Sequence, residues 1–335
     1  MPSNHILIIG AGSLGAFFAS RFATTGAKVS AICRSNFKAV QSEGFKVTSS
    51  TFPEQIVHPT YTFSSRDHAL ELKKKYDIAW NYFFIATKVI QEAGDPSELL
   101  DGLVDENSAI VLIQNGLGIE EAYRKRFPRT PIISAVTRAS CAQILPLHVQ
   151  HKNWTRTTIG PYAPNADEDF YKHAEKKTSE FAALLKQAGI PDVDLLDHTG
   201  MQFARWHKTG INAAMNPASC LSLGPTNQAM ASDEELYIHQ TGVMREILAA
   251  ASAYLAKPVP KDLPDVDWVF MNAREDVSGS KPSMWSDWEA GRKVELEVIL
   301  GNPLRRGREV GIEMPRTQSL YALLRMAQRM RDDGR

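Results

Sequence analysis

Short apolar runs alternate with stretches of helical periodicity over the first 160 residues of the chain. The apolar runs predict strands at residues 6–9, 28–33, 82–87 and 109–114, with weaker candidates at 132–136 and 157–160. Continuous apolar runs between helices are typical of parallel strands that are covered on both faces. The pattern therefore predicts an α/β fold with a doubly wound sheet at its N-terminal end.

The pattern changes after about residue 197. One further helix is predicted over 169–186 and ends near Gly189. Beyond it, the periodicity predicts only helices, at residues 200–216, 234–256, 283–290, 294–308 and 317–330. The proline-rich segment 257–281 predicts a region that is partly loop. We therefore expect an α/β domain over residues 1–195 and an all-α domain over residues 196–335.

Charge and cysteine content argue against several classes of protein. Lys and Arg number 38, and Asp and Glu also number 38, so the formal net charge is zero. Proteins that bind nucleic acid or membrane surfaces usually need a basic excess, so we expect neither partner. The three cysteines are far apart and lack metal-ligand spacing, so no metal site is predicted. Without a signal-like start or a long apolar run, the chain is expected to be cytoplasmic.

A glycine-rich turn follows the first predicted strand directly. Its sequence, Gly10-Ala11-Gly12-Ser13-Leu14-Gly15, has the form GxGxxG and opens a predicted helix. Gly10 permits a tight turn, Gly12 lets the backbone approach a diphosphate, and Gly15 lets the helix pack on the strand. The free N–H groups of the helix start then face the anion. The turn predicts a Rossmann-type dinucleotide site, with an ordinary glycine turn as the alternative.

The end of the second strand bears on the choice of cofactor. An acidic residue about 20 positions after the glycines would bind the ribose 2′-hydroxyl of NAD. Here Arg34 stands 19 positions after Gly15, and no acidic residue lies near it. Because a guanidinium can bind a 2′-phosphate with two hydrogen bonds, the sequence predicts NADPH, with Lys38 as an added contact. The alternative is that Arg34 is a solvated loop residue.

A line of polar residues marks the first helix of the all-α half. Lys208, Asn212 and Asn216 are spaced i, i+4 and i+8, which places them on one helix face. Their apolar flanks predict a buried helix, in which a lysine and two amides need partners. An oxygen-rich ligand would supply them. The alternative is a solvated face, with Asn216 ending the helix before Pro217.

Four other polar residues stand where ligands could bind. Lys88 and Asn115 end the third and fourth strands, at the carboxyl edge of the sheet. Ser283 opens a helix that should stop at Gly291, and this break lets it approach Glu295 on the next helix. The alternatives are an Asn-Gly turn at Asn115, a helix N-cap at Ser283 and a surface charge at Glu295.

These residues together resemble the ketopantoate reductase (2-dehydropantoate 2-reductase) family. The shared motifs are GAGSLG, Ala-Thr-Lys88, QNGLG around Asn115, the W-x-K-x-x-x-N-x-x-x-N-P segment, Pro-Ser-Met through Glu295, and the tail through Pro315. The resemblance implies that Lys208 is the catalytic acid and that substrate is bound by Asn212, Asn216, Ser283 and, with one residue inserted, Asn227. It also implies cofactor contacts from Lys88, Asn115, Glu295 and the backbone of Ala139.

The resemblance implies NADPH-dependent reduction of 2-dehydropantoate, a step of pantothenate synthesis. The chain departs from the family at residues 144–151, where the glycine-rich Gly-x-Val-x-His-x-Gly pattern of the family is replaced by a stretch without glycine. Two alternatives stay open: a reductase of another branched 2-oxo acid, and an NADP-binding regulator without catalysis. A homodimer through the helical half is a further expectation.

Overall fold

The computed structural model of the protein describes residues 4–33, 35–90 and 94–334. These residues include ten strands, which lie in one sheet: β1 His5–Ile9, β2 Lys28–Ile32, β3 Phe45–Ser49, β4 Gln55–Val57, β5 Thr62–Phe63, β6 Tyr82–Ile85, β7 Ala109–Leu112, β8 Ile132–Leu145, β9 His148–Pro161 and β10 Asp192–Leu195. The strand order is β4-β3-β9-β8-β7-β6-β1-β2-β5, and β10 also pairs with β9.

The centre of the sheet is parallel, as the apolar runs predicted. β1 pairs in parallel with both β2 and β6, and β7 pairs in parallel with β6 and β8. All five residues of β1 and all four residues of β6 and of β7 are buried. Strands buried on both faces carry apolar side chains at consecutive positions, which is why these strands were visible in the sequence.

The sheet is mixed, and the sequence pattern did not predict this. β8 and β9 are fourteen residues each and pair antiparallel from Ile133↔Pro161 to Leu145↔His148. β3 and β4 are also antiparallel. The outer halves of β8 and β9 are partly exposed, so they lack the continuous apolar runs that marked the inner halves. The short strands β3, β4 and β10 were missed for the same reason, and β5 was missed because it has only two residues.

Among the described residues, the sheet is accompanied by five helices and a 3₁₀ turn: α1 Ser13–Ala23, α2 Phe37–Glu43, α3 Arg66–Tyr76, the turn Pro96–Leu100, α4 Glu121–Arg126 and α5 Glu168–Gln187. α1 buries Phe17, Phe18 and Phe22 in the main apolar core. α5 ends as predicted before Gly189, whose φ of +81° favours glycine.

Beyond β10 the described residues form helices and loops: α6 His198–Leu221, α7 Asn227–Ser232, α8 Glu234–Tyr254, α9 Val266–Glu275, α10 Ser283–Glu289, the π-turn Glu297–Gly301, α11 Asn302–Glu309 and α12 Pro315–Asp332. The all-α character of this half is confirmed. α7 and α9 were not predicted. None of the helices in the described residues combines the length and apolar character needed to span a membrane.

The described residues fall into two compact units. The N-terminal unit comprises the described parts of Met1–Lys88, Asp95–Gln114 and Glu120–Met201. The helical unit comprises those of Val89–Gly94, Asn115–Ile119 and Gln202–Arg335. The described parts of Val89–Gly94 and Asn115–Ile119 directly follow segments of the N-terminal unit in sequence, yet they belong to the helical unit. The domain limits of 195 and 196 stay a prediction.

α6 runs through Pro217 to Leu221, so Asn216 does not end it. A proline inside a helix removes one hydrogen bond and crowds the preceding turn. Of the described residues 202–220, all but Lys208 and Ile211 are buried, so packing offsets this cost. On one side α6 contacts α8 closely: a Cβ on Gly210 would lie 3.2 Å from Met244.

Candidate active site

The glycine turn of the N-terminal unit has the geometry of a diphosphate cradle. Gly10 has a φ of +97°, and a Cβ on it would lie 2.5 Å from the backbone nitrogen of Thr87. A Cβ on Gly15 would lie 2.1 Å from the Gly10 carbonyl, whereas a Cβ on Gly12 would meet nothing within 4 Å. Within the described residues, no side chain caps the start of α1 at Gly12. The turn therefore fits a dinucleotide, because its open side and uncapped N–H groups suit an anion.

A side-chain clamp fixes the edge of the sheet next to this turn. Gln114 Nε2 donates to the Thr87 carbonyl at 2.8 Å and to Thr87 Oγ1 at 3.0 Å. Thr87 is the residue that abuts Gly10, and Lys88, which follows it, is exposed. The two hydrogen bonds from Gln114 therefore fix the Thr87 backbone, which packs against Gly10 and directly precedes Lys88. Sequence reasoning missed Gln114, although it directly precedes Asn115.

Three predicted features of the N-terminal unit have different outcomes. Arg34 lies outside the described residues, while Lys38 is exposed on α2. Ala139 is half-buried on β8 beside a register shift, where the pairing passes from Ala139↔Thr155 to Ser140↔Lys152. A bulge of this kind redirects the strand backbone, as is frequent beside active sites.

The stretch 144–151 forms the tip of the β8–β9 hairpin and the start of β9. Leu147 takes the left-handed conformation at φ +60°, where glycine would be unstrained. His151 is buried between Ser49 Oγ and Thr155 Oγ1, both at 2.8 Å, and stacks on Phe17. Burial and then the charge of Arg21 lower the pKa of His151. The histidine is thus a packed core group.

The described part of the chain holds neither a cluster of metal ligands nor a disulfide. No group of three or more His, Cys, Asp or Glu side chains there is placed to hold a metal ion. Cys33, Cys141 and Cys220 are free thiols, and burial raises the pKa of each to about 12. These thiols are therefore neutral near pH 7.

The polar line of α6 is the central feature of the helical unit. Asn212 is 8% exposed and Asn216 is 4% exposed, so the line is not a solvated face. Lys208 is half-buried at the same face. Within the described part of the chain, Asn216 Nδ2 is buried without a hydrogen-bond partner. A buried amide donor without a partner is costly, and a ligand oxygen would satisfy it.

Asn227 and Ser283 are the first residues of α7 and α10 in the helical unit. Asn227 donates through its backbone N–H to the Ser280 carbonyl and through Nδ2 to Ser280 Oγ, both at 2.9 Å. It therefore anchors the segment that leads to Ser283. Ser283 is exposed in the first turn of α10, and Pro282 holds the N-cap position, so the capping alternative for Ser283 is wrong.

Glu295 is a buried carboxylate and not a surface charge. α10 ends as predicted at Gly291, whose φ is +71°, with the Arg292 N–H bonded to the Asp287 carbonyl at 2.8 Å. Glu295 follows at 5% exposure and accepts the Val89 N–H at 3.1 Å. It lies two residues before the π-turn Glu297–Gly301, and not within a helix as predicted.

Asn115 opens a turn that contacts the helices closely. Gly116 has a φ of +91°, and a Cβ on it would lie 2.5 Å from Val298 Cβ. Arg205 Nη1 donates to the Gly116 carbonyl at 3.2 Å. The Asn-Gly turn is therefore present, and the role of Asn115 in cofactor binding stays a prediction. Arg205 is 1% exposed and precedes Lys208 by one helical turn, yet sequence reasoning gave it no role.

Family models cover most of the chain. The model "Ketopantoate reductase PanE/ApbA" matches residues 6–164, and the model of its C-terminal region matches residues 201–328. The chain belongs to the ketopantoate reductase family. The resemblance expected from the motifs is thus confirmed. As a ketopantoate reductase family member, the protein is an oxidoreductase that depends on a pyridine nucleotide.

Relatives extend over nearly the full chain. A 2-dehydropantoate 2-reductase of Nostoc sp. is 24% identical over 331 residues, which cover 97% of this chain and 95% of that protein. The crystal structure of 2-dehydropantoate 2-reductase from Methylococcus capsulatus has 30% sequence identity and a TM-score of 0.80, covering 98% and 97%. D-mandelate dehydrogenase with NADH and anilino(oxo)acetate has the same fold, with 17% identity, a TM-score of 0.78, and coverage of 98% and 99%.

Proposed function

We propose that this ketopantoate reductase family member reduces 2-dehydropantoate to pantoate with NADPH, as a cytoplasmic step of pantothenate biosynthesis. The observation that carries the proposal is the line of Lys208, Asn212 and Asn216 on the buried helix α6. The half-buried Lys208 ammonium and the buried amides of Asn212 and Asn216 are hydrogen-bond donors. A 2-oxo acid, which carries a ketone and a carboxylate, offers the matching acceptors.

Lys208 is the proposed general acid. When bound, NADPH would supply a hydride to C2 of the substrate. The ketone oxygen gains negative charge as the C2–H bond forms, and the Lys208 ammonium stabilises this charge and donates the proton. The products are pantoate and NADP⁺, and Lys208 regains a proton from solvent. Asn212 and Asn216 would orient the substrate, because amide donors bind hydroxyl and carboxylate oxygens.

The cofactor would be held by the glycine turn, including Ala11, Ser13 and Leu14, and by Lys88, Asn115, Ala139 and Glu295. Preference for NADPH over NADH rests on Arg34, which replaces the acidic ribose ligand. The D-mandelate dehydrogenase of the same fold is described with NADH, so the choice between the two cofactors needs a direct measurement.

A second candidate is reduction of another branched or aromatic 2-oxo acid. The fold is shared with a D-mandelate dehydrogenase, and residues 144–151 of this chain depart from the glycine-rich family pattern. The reaction type stays the same in this alternative, because Lys208, Asn212 and Asn216 act on the 2-oxo acid group common to all such substrates. The side chain of the substrate would differ.

The deciding experiment is NADPH oxidation, followed at 340 nm, with a panel of 2-oxo acids that includes 2-dehydropantoate and phenylglyoxylate. We expect the highest kcat/KM with 2-dehydropantoate, and the Lys208→Ala variant serves as the inactive control. Preference for a different 2-oxo acid would favour the second candidate. If no 2-oxo acid supports oxidation while NADPH still binds, the regulator without catalysis becomes the better description.

A further inference from the structure

The π-turn Glu297–Gly301 leaves the Val298 backbone carbonyl without its helical donor. The Asn302 N–H donates to the Glu297 carbonyl, five residues back, and so bypasses Val298. The next residue, Pro303, has no N–H to donate. The Val298 carbonyl therefore points out of the helical ladder as a free acceptor for another part of the chain.

Leu117 uses this acceptor. Its N–H donates to the Val298 carbonyl at 2.9 Å, and its own carbonyl accepts from Asn302 Nδ2 at 2.6 Å. Both backbone polar groups of one loop residue are thus bonded to one short stretch of helix. We call the Val298 carbonyl and the Asn302 side chain together the Leu117 dock.

The side chain of Asn302 is itself oriented. Arg305 Nη2 donates to Asn302 Oδ1 at 2.5 Å, and Arg305 Nη1 donates to Glu297 Oε2 at 2.8 Å. Tyr321 donates to the other oxygen of Glu297 at 2.7 Å. The chain of bonds from Tyr321 to Asn302 fixes which end of the amide faces Leu117, because only the NH₂ group can donate to a carbonyl.

We propose that the Leu117 dock is a positioning device, in which the π-turn and Asn302 hold the Asn115–Leu117 turn so that Asn115 is ordered for the cofactor. The inference rests on the cofactor role proposed for Asn115. Asn-Gly turns are conformationally free in isolation, and fixing such a residue before binding removes an entropic cost from the binding step. The π-turn has this use because a regular α-helix would keep the Val298 carbonyl for itself.

The test is the Pro303→Ala variant, which supplies an N–H that can compete for helical acceptors. We expect NADPH to bind about 3- to 10-fold more weakly, as for one lost hydrogen bond, with a Tm that is unchanged or higher. Pro315→Ala is the matched control, because Pro315 stands at the first position of α12, where no helical donor is needed. An unchanged Kd, measured by NADPH fluorescence, in a Pro303→Ala protein whose Leu117 amide exchanges faster overturns the proposal.

A second variant keeps the proposal testable if the π-turn persists. Asn302→Asp is nearly isosteric but faces the Leu117 carbonyl with an acceptor, so it should also weaken NADPH binding. Combined with Asn115→Ala it should add little, because both changes act through the same turn. Full additivity would contradict positioning through Asn115.

Hydrogen exchange separates this inference from the proposed function. The Leu117 amide should exchange faster in Pro303→Ala and Asn302→Asp than in the unchanged protein, whether or not any 2-oxo acid is reduced. Failure of the substrate panel with intact NADPH binding would therefore affect the proposed function alone. An unchanged exchange rate of the Leu117 amide in both variants would show that the Leu117 dock does not hold this residue.

Discussion

The backbone N–H of Val89 donates to Glu295 Oε1 at 3.1 Å, so a buried carboxylate holds the residue that directly follows Lys88. This relationship gives Glu295 a structural task besides any direct cofactor contact. A side chain that keeps an oxygen acceptor should retain the task, and one without an acceptor should lose it.

We therefore expect Glu295→Gln to bind NADPH more tightly than Glu295→Ala. Loss of a hydrogen bond to a charged group costs about 1.5–3 kcal/mol, which corresponds to roughly tenfold or more in Kd for the alanine variant. Glu289→Ala, at an exposed position of α10, is the control. Equal Kd values for the glutamine and alanine variants would show that the negative charge, and not the bond to Val89, matters.

Lys208 and Lys88 should separate chemistry from cofactor binding. Lys208→Ala should lower kcat by about 10²–10⁴-fold and leave the Kd of NADPH nearly unchanged, since a positioned general acid contributes that much. Lys88→Ala should mainly raise the KM for NADPH. Steady-state kinetics and fluorescence titration measure both. The reverse pattern would mean that the two roles are exchanged.

The glycines of the turn should differ in what they tolerate. Gly12→Ala meets nothing within 4 Å, so it should change stability by no more than about 0.5 kcal/mol and yet weaken NADPH binding, because the methyl group faces the approaching diphosphate. Gly15→Ala overlaps the Gly10 carbonyl and should cost about 1–3 kcal/mol of stability. Thermal unfolding and NADPH titration of both variants test this contrast. A large loss of stability in Gly12→Ala would contradict it.

Arg34 should decide the cofactor preference. The unchanged protein should bind NADPH more tightly than NADH, and Arg34→Asp should reduce that preference, since a charge-assisted contact contributes about 1.5–3 kcal/mol. Lys38→Asp changes charge by the same amount at an exposed position of α2 and should have a smaller effect. Equal affinities for NADH and NADPH in the unchanged protein would contradict the prediction.

Acid should destabilise the protein through His5. Burial, followed by the charge of Lys28, lowers the pKa of His5 from 6.5 to about 4, and its Nε2 lies 2.8 Å from Ser30 Oγ. The unfolded chain therefore binds more protons between pH 6.5 and 4, so this contribution to stability is present above pH 6.5 and is lost as the pH falls towards 4. Thermal unfolding of His5→Gln should show a shallower decline of Tm across that window. An identical decline would exclude His5 as the cause.

Local patterns in the sequence determined the central strands, the glycine turn and the polar line of α6. In each case one short segment holds the whole signal: consecutive apolar residues for β1 and β6, three glycines for the turn, and a four-residue spacing for Lys208, Asn212 and Asn216. The ends of α5 at Gly189 and α10 at Gly291 were visible because a left-handed residue favours glycine. The family motifs were also visible, because each of them is a short segment of the sequence.

Tertiary structure alone decided the features that depend on distant partners. The antiparallel β8–β9 pair extends into partly exposed residues that have no apolar run, and α6 passes Pro217 because its surroundings bury it. Glu295 is buried and accepts the N–H of Val89, 206 residues away. The Val298 carbonyl reaches Leu117 only because a π-turn and Pro303 leave it without a helical donor. A sequence lists such groups but does not state which of them meet, because their pairing depends on long-range packing.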